Sequence, residues 1–223
     1  PSTLLREHYR CHPEIIGFCN QQFYGGELVT MTSDTGEGEA LRVIRTVKGN
    51  HARGRFNQRE IDVIVQEVIP WLREQGAEGS IGIITPYNEQ AKEINKVLGQ
   101  ELASTVHKYQ GRECDTIIMS LVNNTPSSFS DDPNLINVAI SRARKHLCLV
   151  STGNDIPQES NLAQLIAYIQ YHNFEVKESC LHSVLDLLYK QYTAERLAYL
   201  AKHPRPMTQL SEQLVYDILL EAL

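Results

Sequence analysis

Along the first two thirds of the chain, short apolar and β-branched runs alternate with stretches whose apolar positions recur every three or four residues. Residues 41–47 read as a strand and 81–85 (IGIIT) as a buried one. Residues 105–106 are a brief strand candidate, and 116–122 and 147–151 are fuller ones. Between them Ile61, Ile64, Val65, Val68 and Leu72 keep helical spacing, with Pro70 expected to kink or end that helix. Ala91, Ile94, Val97 and Leu98 repeat the pattern after Thr85-Pro86, where proline suits the first helical position. Asp132-Pro133 supplies an N-cap and an N1 proline for a third helix. Alternation of this kind implies crossover connections and a mainly parallel sheet flanked by helices, an α/β fold.

From Asn154 the pattern becomes helical. Leu162, Leu165, Ile166 and Ile169 mark one helix, and Val184, Leu185, Leu188, Tyr189 and Tyr192 a second. His203-Pro204-Arg205-Pro206 breaks the chain before a third helix carrying Leu214, Val215, Ile218 and Leu219. The expected organisation is an α/β domain over 1–152 and a helical extension over 153–223. That last helix reaches Leu223 uncapped, with its apolar face open, and position 1 is proline. An excised piece of a longer polypeptide, truncated before a further domain, is therefore expected. No internal repeat or low-complexity stretch is visible.

Composition narrows the class. In 223 residues, 42% hydrophobic and 22% charged describe an ordinary globular chain. No apolar run approaches the ~18 to 20 residues of a membrane span, and residues 1–13 are too polar for a signal peptide. The five cysteines are odd in number and form no CxxC pair. Reduced thiols and a cytoplasmic location are expected, without a disulfide scaffold or metal site. Cys148, within Leu147-Cys148-Leu149-Val150, reads as a small core residue. The net charge of −6 excludes a protein that coats nucleic acid by bulk electrostatics. Residues 1–152 hold 16 basic against 18 acidic side chains, and 153–223 hold 5 against 9. A near-neutral first domain is compatible with a groove that uses a few placed contacts.

Three segments carry candidate chemistry. The first runs Leu5-Arg6-Glu7-His8-Tyr9-Arg10-Cys11-His12-Pro13, followed by Phe18 and by Phe23-Tyr24-Gly25-Gly26-Glu27-Leu28. Tyr9-Arg10 suits stacking on a base and binding a phosphate, or decorates a turn. His12 before Pro13 reads as structural, and no acidic or thiol partner follows His8 and His12 at ligand spacing. In the second, Thr105-Val106-His107-Lys108-Tyr109-Gln110-Gly111-Arg112-Glu113-Cys114-Asp115, Gly111 allows close backbone approach. Gln110 and Glu113 there suit a water, a ribose or a metal-bound phosphate, or simply a polar turn. In the third, 137–145 (NVAISRARK), Leu135, Val138, Ala139 and Arg142 share one helical face, so an arginine ends an apolar stripe. Such an arginine either presents its guanidinium to a phosphate or snorkels to a surface carboxylate.

Taken together, L-x-x-x-YR-x-HP with FY-x-G-x-L, then ITPY, TV-x-x-x-QGRE-x-D and NVA-x-SRAR, resemble the second RecA-like domain of superfamily 1 helicases. The resemblance covers residues 4 to about 152. The branch it is most similar to is the 5′-to-3′ group that includes the RNA helicase of nonsense-mediated decay, and a bacterial source is expected. The resemblance implies a RecA-like P-loop NTPase fold and a composite ATP site shared with an N-terminal RecA-like domain of the same polypeptide. Arg10 and Arg142 match the arginines that reach the γ-phosphate across that cleft. Glu113 matches the glutamate that binds the nucleotide sugar, with Gln110 and Gly111 shaping its turn and Tyr9 beside the nucleotide. Thr85, Thr105 and His107 match positions that touch the backbone of single-stranded DNA or RNA. Thr85 alternatively caps the following helix.

Several positions depart from the family pattern. His8 stands where glutamine is usual and Cys11 where methionine is, while Asn123, Asn134 and Leu135 replace basic residues. These changes bear on the nucleic-acid contacts. The basic loop with Lys48, Arg53, Arg55 and Arg59 either compensates or is a solvated loop. The chain contains no GxxxxGK(S/T) loop and no acidic Mg²⁺-holding strand. ATP and Mg²⁺ are thus expected to be bound mainly by the first motor domain, with this piece inactive alone. The tail beyond Asn154 resembles the linker after such motors in bacterial proteins that continue into a nuclease domain, but its PD-(D/E)xK signature is absent here. The alternative functions are a non-catalytic RecA-like interaction module and the motor part of a helicase-nuclease fusion.

Overall fold

The computed structural model describes residues 6–34, 36, 38–74, 79–109 and 112–182. The helices expected around 184–192 and 214–219, and the turn residues Gln110 and Gly111, lie outside them.

The chain opens with β1 (Glu7–His8), α1 (Pro13–Phe23) and β2 (Val29–Thr30), followed by β3 (Leu41–Arg45). A hairpin of β4 (Ala52–Arg53) and β5 (Phe56–Asn57) leads into α2 (Gln58–Val63), a π-helical turn (Ile64–Val68) and α3 (Ile69–Glu74). There follow β6 (Ile81–Thr85), α4 (Asn88–Leu98), β7 (Ala103–Thr105), a 3₁₀ turn (Val106–Tyr109) and β8 (Cys114–Ser120). The last elements are α5 (Pro133–Ile140), β9 (Ala143–Ser151), α6 (Asn161–Tyr171) and β10 (Val176–Glu178).

Six strands form one sheet in the order β10-β3-β9-β8-β6-β7, and every pairing in it is parallel. Its central strands are apolar on both faces, as a parallel sheet covered by helices requires. Ile117, Met119, Leu147 and Leu149 face a core shared with α1, α5 and α6. Ile118, Cys148 and Val150 face a second core with α2, α3 and α4, so Cys148 is a core residue as expected. This is the α/β architecture read from the sequence. Helix α6 and strand β10 belong to the same compact unit as the sheet, which extends to Leu181.

Local chemistry explains most element ends. Asp132 accepts from the Leu135 N–H and Pro133 occupies the first turn of α5, as read from the sequence. Pro86 differs from expectation: α4 begins at Asn88 with Tyr87 as N-cap, so the proline precedes the helix. Nor does Pro70 end its helix. The ladder widens instead, and Ile69 N–H reaches back to Ile64 O. A proline ring clashes with the carbonyl four residues earlier, and a π turn just before it relieves that clash. Strand β8 stops at Ser120 because Val122 adopts a left-handed conformation, φ 73°.

Candidate functional site

In a parallel sheet all strands begin at one edge and end at the other, and the candidate residues divide between these edges. Glu113 immediately precedes β8 and Arg142 immediately precedes β9, so both stand at the amino edge. Thr85 and Thr105 are the last residues of β6 and β7, and His107 follows in the 3₁₀ turn, all at the carboxyl edge.

Three long-range bonds draw the amino-edge segments together. The Cys11 thiol donates to Ser141 O at 3.4 Å, and His12 N–H donates to Arg144 O at 2.7 Å. Cys114 N–H donates to Arg142 O at 3.1 Å. Arg10, Arg142 and Glu113 each adjoin one of these anchored residues. Together with Tyr9, Tyr24 and Arg144 they line a cleft of about 700 Å³.

Within this cleft Arg10 Nε lies 2.6 Å from Glu113 Oε2. Arg142 lies beyond α5 rather than on it, because the helix ends at Ile140 and Ser141 is its C-cap. Its Nε donates to Val138 O at 3.1 Å, so a helix-end carbonyl orients the guanidinium. The snorkelling alternative would pair that guanidinium with a carboxylate, and among the described residues no carboxylate partner of Arg142 is present. Tyr9 is 66% exposed, with its ring open to solvent. Tyr24 accepts a 2.9 Å hydrogen bond from Asn137 Nδ2.

The histidines and the one cysteine of the first segment, Cys11, have structural work. His8 Nε2 accepts from Cys11 N–H at 3.0 Å, and burial followed by the nearby Arg10 charge lowers its pKa. A neutral ring is what this acceptor role needs. His12 Nδ1 accepts from Glu14 N–H and caps α1, while its Nε2 faces Asp34 at 3.1 Å. Burial pushes the Cys11 thiol up to about 12, which keeps it a protonated donor.

At the carboxyl edge, Thr105 and His107 line a second cleft of about 510 Å³ with Arg55, Tyr87 and Phe129. The Tyr87 and Phe129 rings sit 5.6 Å apart, tilted by 35°. Thr85 is wholly buried, and its Oγ1 has no hydrogen-bond partner among the described residues. It presents no surface to a strand, nor does it cap α4, which has no side-chain cap. Sequence reasoning missed Phe129, which sits in a polar loop without periodicity. It left Arg55 undecided within the basic loop, and the fold puts that residue on the cleft.

Residues 1–154 match the family model described as an AAA domain. The chain belongs to that family. Among relatives of this AAA domain, the 5′-3′ DNA helicase ZGRF1 of Mus musculus is 30% identical over 169 residues, covering 67% of this chain and 9% of that protein. The DNA polymerase alpha-associated DNA helicase A of Saccharomyces cerevisiae is 40% identical over 106 residues, 43% of this chain and 15% of that protein. The probable RNA helicase armi of Drosophila melanogaster is 25% identical over 211 residues, 77% of this chain and 18% of that protein. The chain thus spans less than a fifth of each. Within the family, the chain belongs with the second RecA-like domain of superfamily 1 helicases.

Proposed function

We propose that this AAA domain is the arginine-donating half of an ATP-driven translocase on single-stranded nucleic acid. The observation that carries the reading is the convergence of Arg10, Arg142 and Glu113 in one cleft at the amino edge of the sheet. Two guanidiniums suit the charge that builds on a transferred phosphoryl group, and such residues contribute on the order of 10³ to 10⁵ in rate. Glu113 is an acceptor for the hydroxyls of a ribose, and the exposed Tyr9 ring suits a base. ATP and Mg²⁺ would be held mainly by an N-terminal RecA-like domain of the same polypeptide, which would close on this cleft.

The carboxyl-edge cleft suits the second substrate. Arg55 and His107 can approach phosphates, and the Tyr87 and Phe129 rings offer faces on which unpaired bases stack. Closure on ATP at one edge would shift the strand held at the other. Relatives are described as acting on DNA in two cases and RNA in one, and the cleft chemistry fits either strand. The test is ATP hydrolysis by the full-length polypeptide, measured with single-stranded DNA and with single-stranded RNA. Near-normal turnover in both Arg10→Ala and Arg142→Ala would overturn the reading.

A further inference from the structure

Four buried polar side chains behind the carboxyl-edge cleft belong to no mechanism described so far. Asn57, Glu60, Gln90 and Ser120 are at most 1% exposed. They come from β5, α2, α4 and β8, so a single network joins four separate elements. Ser120 Oγ donates to Glu60 Oε2 at 2.7 Å, and Val122 N–H donates to both Glu60 oxygens at 3.0 Å. Gln90 Nε2 donates to Ser120 Oγ at 2.9 Å, and Gln90 Oε1 accepts from Asn57 N–H at 2.8 Å. Asn57 Nδ2 donates to Val122 O at 2.8 Å.

Both backbone groups of Val122 are therefore claimed by this network, and Val122 is the residue at φ 73°. A left-handed conformation is costly for a buried β-branched residue and persists only where its surroundings dictate it. The turn it makes puts Asn124 against the β4–β5 hairpin. Asn124 Oδ1 accepts from His51 N–H at 2.9 Å and from Ala52 N–H at 3.0 Å. The hairpin is thus held at its entry through Asn124 and at its exit through Asn57. Between the two lies Arg55, on one wall of the cleft, while α4 carries Gln90 in the network and has its N-cap, Tyr87, on another.

We infer that Glu60 is a positioning residue for the single-strand cleft: it locks the Val122 turn and so fixes the basic hairpin with Arg55 against the wall formed by Tyr87, Thr105 and His107. This rests on the reading that the carboxyl-edge cleft takes nucleic acid. A carboxylate fits the task because its two oxygens accept four contacts from three donors, Ser120 Oγ, Val122 N–H and Asn57 Nδ2. A glutamine has one acceptor and meets Ser120 with an amide instead, so the lock loosens while the side-chain volume stays.

The test uses the full-length polypeptide with Glu60→Gln and, outside the buried network, Asn124→Ala. Hydrogen exchange at the His51 and Ala52 amides is read first, then affinity for fluorescein-labelled oligothymidylate and oligouridylate. Both variants are expected to exchange faster at those amides and to bind about five- to tenfold more weakly, the equivalent of one lost phosphate contact. Tyr87→Ala with His107→Ala is the control for the cleft itself. If the control binds normally, the nucleic-acid reading of this cleft fails. If the control loses binding while Asn124→Ala retains both amide protection and full affinity, the positioning inference fails. Should Glu60→Gln not fold, Asn124→Ala decides alone.

Discussion

Arg10 and Glu113 meet as an ion pair, guanidinium Nε to carboxylate at 2.6 Å, although 102 residues separate them in sequence. Both side chains remain more than two-fifths exposed, 44% and 42%, so the pair lies open in the cleft. Exposed pairs of this kind contribute little to stability, typically under about 1 kcal/mol. Its value is then in placing a cation and an acceptor side by side. Glu113→Ala is expected to leave the thermal midpoint nearly unchanged while raising KM for ATP. Calorimetry beside ATPase kinetics reads both, and a large fall in the midpoint with KM unaltered would assign the pair to the fold instead.

The two arginines should behave alike and unlike Glu113. Arg10→Ala and Arg142→Ala are each expected to lower kcat of the full-length ATPase on the order of a thousandfold, with circular dichroism unchanged. Arg142→Lys should recover little. A lysine has no Nε–H to donate to Val138 O, so its charge is no longer aimed by the end of α5.

Much of the fold is legible in the sequence, and the reasons differ by residue. The buried strand at Ile81–Thr85 and the Asp132-Pro133 helix start follow from local chemistry that the fold does not override. Pro70 followed the local rule only in part, because a widened turn satisfied the proline without ending the helix. Periodicity alone puts Arg142 on the apolar stripe of α5, because it cannot see that Ser141 closes the helix. The convergence of the segments depends on Cys11 meeting Ser141 and His12 meeting Arg144, pairings of distant residues that no spacing encodes. Glu60 left no sequence signal, since an acidic residue in the first turn of a helix usually faces solvent.

Glu60 also makes stability depend on pH. Burial raises its pKa from 4.5 to about 7, against the opposing pull of the Ser120 and Val122 hydrogen bonds. A carboxyl group that holds its proton more tightly when folded stabilises the fold fully below the unfolded value and loses that contribution as pH rises through the folded one. Between about pH 4.5 and 7 the loss is on the order of 3 kcal/mol. Denaturant unfolding across this range should show wild-type stability falling relative to Glu60→Gln, whose amide does not titrate. Parallel profiles for the two proteins would mean that Glu60 ionises at its ordinary value.

Gly153 tests how closely the carboxyl edge is packed. A methyl group there would run into the backbone carbonyl of Thr46, which has no freedom to move aside. Gly153→Ala is expected to cost about 1 to 3 kcal/mol by forcing the ends of β3 and β9 apart. Chemical denaturation measures the loss directly, and an unchanged midpoint would show that this edge adjusts at little cost.

The walls of the carboxyl-edge cleft should contribute in physically distinct ways. Arg55 offers charge, so Arg55→Ala is expected to weaken oligonucleotide binding and reduce the slope of log K against log salt by about one. Phe129 offers a ring, 44% exposed and beside Tyr87, so Phe129→Ala removes a stacking face worth about 1 to 3 kcal/mol without touching counterion release. Its affinity should fall at every salt concentration while the slope stays at the wild-type value. Titrations with labelled oligothymidylate at several salt concentrations separate the two effects. Should Phe129→Ala flatten the slope, the loop would be acting through the placement of Arg55 and the ring would not be a stacking surface. Equal slopes and equal affinities in both variants would move the strand away from this cleft altogether.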